Sequence, residues 1–268
     1  MKAIISLVNV AAHSGKTTIA VNLAAELATR GLRTLLIDAD PQAHTTSYFM
    51  KPEEVVRTLS DVLLPKTRSA TPRKLAIWDI FSPANLPHLG VVGGDIGLAT
   101  FEGLESSRAS DFKAHLGAIS EFHEIVIIDT SSSLALLTQA CLCASTHIIV
   151  PVSPGGQGVE GLQIVDEYMD NMTCEVAPPH LSVVCNKFDC RDHSSGLLYE
   201  RLKSRWGERV FDTIIHRDDQ VEECVGRGTP VLASAPMSPA ADLYACMADE
   251  VLTKLHLAPI RQATSAEG

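Results

Sequence analysis

The first residues that could do chemistry lie near the start of the chain, in the stretch NVAAHSGKTTIAVNLAAEL at residues 9–27. At its centre, Gly15, Lys16 and Thr17 are the residue types of a phosphate-binding loop. Backbone N–H groups at a helix N-terminus attract phosphate oxygens, a lysine neutralises the phosphate charge, and a threonine hydroxyl ligates Mg²⁺. The pattern G-x-x-x-x-G-K-[ST] fails at its first position, Val10, so GKT alone is a weak signal.

Three aspartates elsewhere in the sequence strengthen that signal. Asp38 and Asp40 end the apolar run LLIDADPQ, and Asp129 ends VIIDTSSS. The carboxyl ends of parallel strands form the ligand-binding edge of an open α/β sheet. One aspartate at such an edge is explained by capping of the next turn, but three beside an anionic nucleotide require a cation between them. The pattern therefore predicts a nucleotide together with Mg²⁺.

A scaffold that brings these strand ends together is predicted by the order of apolar segments. Short β-branched runs typical of buried strands alternate with segments of helical spacing, and the first helix should stop at Gly31. This alternation predicts an α/β fold with a doubly wound, mostly parallel central sheet and helices on both faces. The predicted strands are KAIISLVNV, RTLLIDAD, KLAIWDIF, HLGVVGG, EIVIIDTSSS, THIIVPVSP, LSVVCNKFD and RVFDTIIHR. The later predicted helices are TLSDVLL, GLATFEGL onward, GVEGLQIVDEYMDNM, LLYERLKSRWG and AADLYACMADEVLTKL.

Composition limits the domain organisation and the class of protein. We expect one domain over residues 1–258, with a loop excursion at 65–72, and a flexible tail over 259–268. No apolar run reaches the roughly 18 residues that a membrane span needs, and the seven unpatterned cysteines suggest reduced thiols in the cytoplasm and no zinc site. The net charge of −10 argues against a broadly nucleic-acid-binding surface but leaves room for a local basic patch.

In this order, the motifs resemble the ParA/MinD family of dimerising ATPases, most closely the small ParA (Soj-like) partition ATPases. AAHSGKTT at residues 11–18 matches the family's KGGVGKTT, and residues 38–42 carry its DxDPQ. IIDTSSSLALLTQACLCASTHIIVPVSP, VVCNKFDCR and VFDTIIHRDDQVEECVGRGTPV are also similar to family segments, so the resemblance runs over nearly the whole chain. It implies a P-loop NTPase fold of the SIMIBI type.

Residue by residue, the resemblance implies a catalytic and a binding set. Lys16 is implied as the loop lysine and Asp40 as the group that positions or activates the attacking water. Thr17 is implied as a Mg²⁺ ligand, with Asp38 and Asp129 at the metal and Asp129 acting through water. The implied nucleotide-binding residues are Ser14, Gly15, Lys16, Thr17, Thr18 and Asn186, the last at the adenine edge; Arg191 and Arg217 match positions of a non-specific DNA surface.

As a function, the resemblance implies a weak, partner-stimulated ATPase that positions or segregates a cargo. ATP with Mg²⁺ would drive formation of a homodimer, which would bind nucleoid DNA without sequence preference. A ParB-like or other adaptor protein would then stimulate slow hydrolysis and release. The cargo would be a plasmid or chromosome locus or a protein assembly, and the location cytoplasmic and nucleoid-associated with no membrane partner.

The loop departs from the family at three positions. Ala11 stands where the family has its signature lysine, which in relatives crosses to the partner subunit's ATP, and Ala12 and His13 replace two glycines. Side chains there would crowd the close backbone approach that glycine permits. ATP binding is still expected, whereas the standard dimer switch is in question; His13 either replaces the missing cation or points to solvent.

Other interpretations stay open beside this one. A nucleotide-binding protein with impaired hydrolysis is the first alternative, and a MinD-like membrane ATPase is the second, although HLAPIRQATSAEG has one arginine and a helix-breaking proline where a basic amphipathic helix is needed. A redox protein like the nitrogenase iron protein would need cysteines other than Cys141 and Cys143, which fall within a predicted helix. The DxDPQ context of Asp40 points away from a metabolic ligase or synthase.

Charge near the end of the chain bears on DNA binding. Residues 187–217 contain seven Lys or Arg against five Asp or Glu. Such a stripe suits weak phosphate contact, but ERLKSR is equally typical of a solvated helix with local ion pairs. Four carboxylates just beyond Arg217 would weaken a DNA surface there.

Overall fold

A single mixed sheet organises the part of the chain that the computed structural model describes, which is residues 3–64, 82–83, 86–104, 108–117, 122–172, 178–189 and 191–257. The strands run in the order β3-β4-β2-β5-β1-β6-β7-β8. All pairs are parallel except that of the two-residue edge strand β3 with β4. The strands are β1 (Ala3–Leu7), β2 (Thr34–Ala39), β3 (Ser82–Pro83), β4 (Leu89–Val92), β5 (Ile125–Thr130), β6 (His147–Val152), β7 (His180–Phe188) and β8 (Val210–His216).

Helices cover both faces of this sheet, as the alternating sequence predicted. They are α1 (Lys16–Thr29), α2 (His44–Phe49), α3 (Leu59–Leu63), α4 (Arg108–Gly117), α5 (Leu136–Ala144), α6 (Gly156–Asn171), α7 (His193–Trp206), α8 (Asp219–Arg227), α9 (Val231–Ser234) and α10 (Pro239–Lys254). Short 3-10 segments span Pro52–Glu54, Ile96–Gly103 and Gly207–Arg209. No helix in the described part of the chain is both long and apolar enough to cross a membrane.

Successive strand residues point to opposite faces, so the nearly continuous apolar runs of the central strands make both faces apolar. Leu36 and Ile127 pack in the core beneath α1 and α10, whereas Leu35 and Ile128 pack in the core beneath α3, α4 and α5. A third core lies among β6, β7, α6 and α7. The central strands are thereby buried on both faces, and the aspartates Asp38 and Asp129 lie near the carboxyl ends of β2 and β5.

Several boundaries differ from the sequence prediction. GLATFEGL forms a 3-10 helix over Ile96–Gly103, and the Asp95 side chain caps it by accepting the Gly97 N–H. The structure also adds α2, α8 and α9, which were not predicted. The predicted strand KLAIWDIF, the predicted loop at 65–72 and the tail at 259–268 all lie outside the described residues.

Candidate nucleotide-binding site

The loop between β1 and α1 is held in place by a buried asparagine that sequence reasoning missed. Asn9 Oδ1 accepts the N–H of Ala11 at 2.8 Å. Its Nδ2 donates to the carbonyls of Pro151 at 2.7 Å and Gly158 at 3.3 Å. The loop is thus anchored to the end of β6 and the first turn of α6.

A second anchor comes from β7 and fixes the last turn of the loop. Asn186 is buried, and its Nδ2 donates to the Ser14 carbonyl at 2.9 Å. Gly15 has a φ of +91°, and a Cβ there would lie 2.0 Å from Asn186 Nδ2, so glycine is required. Asn186 therefore supports the loop; that it also reads the adenine edge stays a prediction.

Lys16 lies buried at the start of α1 and points back into the loop. Its Nζ donates to the Asn9 carbonyl at 3.0 Å and to Ser132 Oγ at 2.7 Å. Burial lowers the pKa of this ammonium group, and the charges of Asp129 and Asp40 oppose that shift. The lysine is held by neutral oxygens that phosphate oxygens can replace.

Asp129 receives two hydroxyl hydrogen bonds on one of its oxygens. Thr17 Oγ1 and Thr45 Oγ1 each donate to Asp129 Oδ2 at 2.7 Å. The other oxygen, Oδ1, is buried and has no hydrogen-bond partner among the described residues. A buried carboxylate oxygen without a donor is costly, and a divalent cation or its bound water is the kind of partner that would satisfy it.

Asp38 lies directly beside Asp129, because β2 and β5 pair in register at these two residues. Asp38 Oδ2 accepts the Thr46 N–H at 2.7 Å and the Thr46 Oγ1 hydroxyl at 2.6 Å. Burial raises the pKa of both carboxyls, and the charge of Asp129 raises the pKa of Asp38 further. Two buried, adjacent carboxylates are the donor set of a hard cation such as Mg²⁺.

Asp40 follows β2 and is less buried than the other two carboxylates. Its backbone N–H donates to Asp38 Oδ1 at 3.2 Å. Its Oδ1 accepts the N–H of Gln42 at 2.9 Å, which makes Asp40 the cap of the turn before α2. The structure thus places Asp40 at the same edge as Lys16 and Asp129, with its carboxylate toward the rim.

The described residues fit a magnesium nucleotide. The Thr17 hydroxyl, the unpartnered Asp129 Oδ1 and the Lys16 ammonium meet at the N-terminus of α1. Ser14 Oγ is also buried without a partner among the described residues. An anion at the helix N-terminus and a cation at the carboxylates would satisfy these groups together.

The loop positions that depart from the ParA pattern are accommodated differently. Ala11 is buried, and a Cβ on the nearby Gly161 would lie 3.1 Å from its backbone nitrogen. His13 is exposed and has a φ of +59°, in the left-handed region that glycine occupies more readily. The histidine side chain therefore faces outward from the loop at a backbone position suited to glycine.

Arg191 and Arg217 lie together at the carboxyl edge of β7 and β8, lining one depression of about 470 Å³. Arg191 forks onto Asp189, with Nε–Oδ1 and Nη2–Oδ2 distances of 3.1 Å each. Arg217 Nη2 lies 3.8 Å from Glu222 Oε1. The predicted DNA residues are therefore neighbours, but each also lies beside a carboxylate.

The basic residues of α7 and of the 3-10 segment after it make contacts both within the helix and with other elements. Lys203 pairs with Asp212 on β8, and Arg209 Nη1 lies 3.2 Å from Asp166 Oδ1 on α6. Arg205 stacks on Trp206 at 4.6 Å from the ring centroid. These contacts join α7 to the sheet and leave Arg201 and Arg205 on its exposed side.

Comparison with known proteins decides the family. A family model described as an AAA domain matches residues 2–182. Over 264 residues the chain is 30% identical to the sporulation initiation inhibitor protein Soj of Bacillus subtilis (strain 168), covering 94% of this chain and 98% of Soj. The chain belongs to the ParA family of ATPases.

Other members and solved structures extend this result. The chromosome partitioning protein ParA of Myxococcus xanthus (strain DK1622) is 26% identical over 262 residues, covering 94% of this chain and 88% of that protein. A putative plasmid partition protein from Borrelia burgdorferi B31 bound to AMPPNP superimposes with a TM-score of 0.79 at 21% identity, covering 94% and 98% of the two chains. The predicted fold class is confirmed, and the ParA chain described here has the general architecture of partition ATPases.

Four residues of this ParA site were not predicted from sequence: Asn9, Thr45, Thr46 and Ser132. Asn9 and Ser132 each lie two residues after a buried strand, β1 and β5 respectively. A polar residue at a strand end is the same signal that indicates the aspartates. Thr45 and Thr46 carry no such signal, because α2 was not predicted and its position over the strand ends depends on tertiary packing.

Proposed function

We propose that this ParA-family protein is a positioning ATPase that binds ATP with Mg²⁺, dimerises, binds DNA without sequence preference and moves or segregates a cargo. An adaptor protein would stimulate its slow hydrolysis. We place it in the cytoplasm, associated with the nucleoid. The observation that carries the proposal is the meeting of Lys16, Thr17 and the unpartnered Asp129 Oδ1 at the N-terminus of α1.

The chain's own residues divide the work of binding. Lys16, held now by the Asn9 carbonyl and Ser132 Oγ, would exchange these neutral partners for phosphate oxygens. Thr17, Asp38 and Asp129 would hold Mg²⁺, which when bound neutralises phosphate charge. Ser14, Gly15 and Thr18 would line the phosphate cradle, and Asn186 would keep the last turn of that cradle fixed while facing the base.

Asp40 is proposed to orient the attacking water. It is the least buried of the three carboxylates and lies at the rim of the same edge. Its backbone is held by Asp38 Oδ1 and its Oδ1 by the Gln42 N–H, so its second oxygen is the one positioned to accept a proton from water. Hydrolysis would be slow while this water is not fully oriented, which leaves room for stimulation by an adaptor.

Dimerisation would couple ATP to DNA by doubling a weak surface. Arg191 and Arg217 are exposed, but Asp189 and Glu222 compensate their charge, so a single copy would bind DNA poorly. Two copies acting together gain affinity without new contacts in either. The buried Ala11 at the position of the family's lysine supports one alternative, a nucleotide-binding member with impaired hydrolysis.

DNA binding in defined nucleotide states tests the proposal. Binding to a non-specific duplex is measured with Mg²⁺ plus ATP, ADP or no nucleotide over a salt series. We expect ATP-dependent, salt-sensitive binding that weakens in Arg217→Ala and persists in Arg227→Ala, a similarly exposed arginine that pairs with Glu223 on α8. Absence of binding in every state would refute the DNA role, and light scattering with ATP would show whether the dimer forms.

Turnover separates the leading proposal from its alternative. ATP hydrolysis is compared among the wild type, Lys16→Ala, Asp40→Ala and the control Ser47→Ala, whose exposed hydroxyl donates to the His44 carbonyl. We expect wild-type and Ser47→Ala turnover to agree and the other two to lose at least tenfold. ATP binding with equally low turnover in all four proteins would favour impaired hydrolysis.

A further inference from the structure

Helix α2 touches both buried carboxylates through consecutive threonines. Thr45 Oγ1 donates to Asp129 Oδ2 at 2.7 Å, and Thr46 donates to Asp38 Oδ2 through its N–H at 2.7 Å and its hydroxyl at 2.6 Å. Both threonines are buried. A helix of six residues is therefore tied to the ends of two neighbouring strands.

The two threonines differ in what else their hydroxyls do. Thr46 Oγ1 also accepts the N–H of Gly94 at 2.8 Å, so it links Asp38 to the segment after β4 and has an evident structural role. The Thr45 hydroxyl, in contrast, donates to Asp129 Oδ2. If Thr45 merely satisfied a buried carboxylate, it would be expected on the oxygen that has no other donor.

The geometry shows a different arrangement. Thr45 and Thr17 both donate to Oδ2, while Oδ1 of the same carboxylate stays buried and unpartnered. Two donors on one oxygen restrict the rotation of the carboxylate and leave the other oxygen for a ligand. Thr45, unlike Thr17, is not a proposed metal ligand, and hydrogen bonds from such residues orient carboxylates toward metal ions.

We propose that Thr45 is a positioning residue for Mg²⁺: its hydroxyl holds Asp129 Oδ2 so that Oδ1 faces the metal and its water. This inference rests on the proposed binding of a magnesium nucleotide.

Magnesium dependence of nucleotide binding tests the proposal without relying on turnover. The affinity of a fluorescent ADP analogue (mant-ADP) is measured in EDTA and at increasing MgCl₂ for the wild type, Thr45→Val, Thr45→Ser and Ser47→Ala. Thr45→Val keeps the shape of the side chain and removes the hydroxyl. Ser47→Ala removes an exposed hydroxyl from the same helix and serves as the matched control.

We expect Thr45→Val to need about tenfold more Mg²⁺ for half-maximal tightening, the usual cost of losing a residue that orients a metal ligand. Its affinity in EDTA should equal that of the wild type, and Thr45→Ser and Ser47→Ala should follow the wild type throughout. If Thr45→Val does not fold, as judged by thermal unfolding, Thr45→Ala against Thr45→Ser makes the same comparison.

Two results would overturn the inference alone. They are a magnesium midpoint in Thr45→Val equal to that of a magnesium-responsive wild type, or equal shifts in Thr45→Val and Thr45→Ser. A wild type that binds no mant-ADP at any Mg²⁺ concentration would instead refute the proposed function, and the inference with it.

Discussion

Two stretches of the sheet's carboxyl edge, called here the phosphate-loop edge and the arginine edge, hold charged residues in opposite ways. At the phosphate-loop edge, formed by the ends of β1, β2 and β5, Lys16, Asp38 and Asp129 are buried and bonded to neutral hydroxyl, amide or carbonyl groups. At the arginine edge, formed by the ends of β7 and β8, Arg191 and Arg217 are exposed and lie beside Asp189 and Glu222. The phosphate-loop edge keeps its charged groups away from water, whereas the arginine edge pairs its charges in water.

This difference determines what each edge can do. Buried charges with neutral partners interact strongly with an incoming ligand, because little water screens them and few bonds must break. Exposed pairs contribute little to stability and respond to salt. Substitutions at the phosphate-loop edge should therefore have large effects on folding, whereas those at the arginine edge should be visible mainly in binding.

The largest effect on stability is expected at Gly15, in the phosphate loop, where an added Cβ would contact Asn186 of β7. In Gly15→Ala the new Cβ meets Asn186 Nδ2 and the backbone keeps a left-handed φ, so we expect unfolding free energy to fall by about 2 to 5 kcal/mol. Urea denaturation measures the loss. Gly31→Ala is the matched control, since its φ is +84° but no atom of the described residues lies within 4 Å of an added Cβ. An equally large loss there would show that backbone strain alone explains the result.

A second substitution tests the anchor of the loop on α6. A Cβ on Gly161 would lie 2.0 Å from Asn9 Oδ1, so Gly161→Ala should cost about 1 to 3 kcal/mol and weaken nucleotide binding. In Gly196→Ala on α7, no atom of the described residues lies within 4 Å of the added Cβ. We therefore expect its unfolding free energy to rise by about 0.5 to 1 kcal/mol. Thermal unfolding of the pair measures the contrast, and a gain in Gly161→Ala would contradict the anchoring role of Asn9.

The pH dependence of the metal-free protein should reveal the buried carboxylates. Burial beside Asp129 raises the pKa of Asp38 to about 7, so the folded state binds more protons than the unfolded state between roughly pH 4 and pH 7. Stability should therefore fall as pH rises through this window, by at most about 1.4 kcal/mol per pH unit for one proton.

Urea denaturation in EDTA at several pH values measures that slope, which Asp38→Asn should reduce. Asp212→Asn is the control, because its contact with Lys203 lowers the pKa of Asp212 and moves its effect below pH 4. An unchanged slope in Asp38→Asn would mean that the carboxyl does not carry its proton in the folded state.

The smallest effect on folding is expected at the arginine edge. Arg191→Ala and Arg217→Ala should each change unfolding free energy by less than about 0.5 kcal/mol, because both ion pairs are exposed. If both arginines contact DNA phosphates, each substitution should lower the salt slope of DNA binding by about one. An unaltered slope, together with unaltered affinity, would remove these residues from the DNA surface.

The sequence predicted the phosphate-loop edge better than the contacts within it. The GKT motif between a predicted strand and helix indicates Lys16 and Thr17, and the predicted strand ends indicate Asp38 and Asp129, since a parallel sheet must bring such ends together. Asn186 was assigned to the base by resemblance, and the structure shows that its amide supports Ser14. Such a contact depends on how closely β7 approaches the loop, which no local pattern records.

The threonines of α2 show the same limit more sharply. HTTSYF has no marked apolar period and is too short to predict as a helix, so Thr45 and Thr46 were not considered. Only the packing of α2 over the ends of β2 and β5 brings their hydroxyls to Asp129 and Asp38. At the arginine edge, likewise, charge counting found the basic residues and the nearby carboxylates but not which of them pair.

By itself, the sequence determined the α/β class, the alternation of strands and helices, and the edge of the sheet where the polar residues collect. Those features follow from local periodicity and from the rule that parallel strand ends share an edge. The tertiary structure alone decided which oxygen of Asp129 is left without a partner, which hydroxyls hold it and which arginines are paired. Those outcomes depend on contacts of a few ångströms between residues far apart in the chain, and such contacts are set by packing.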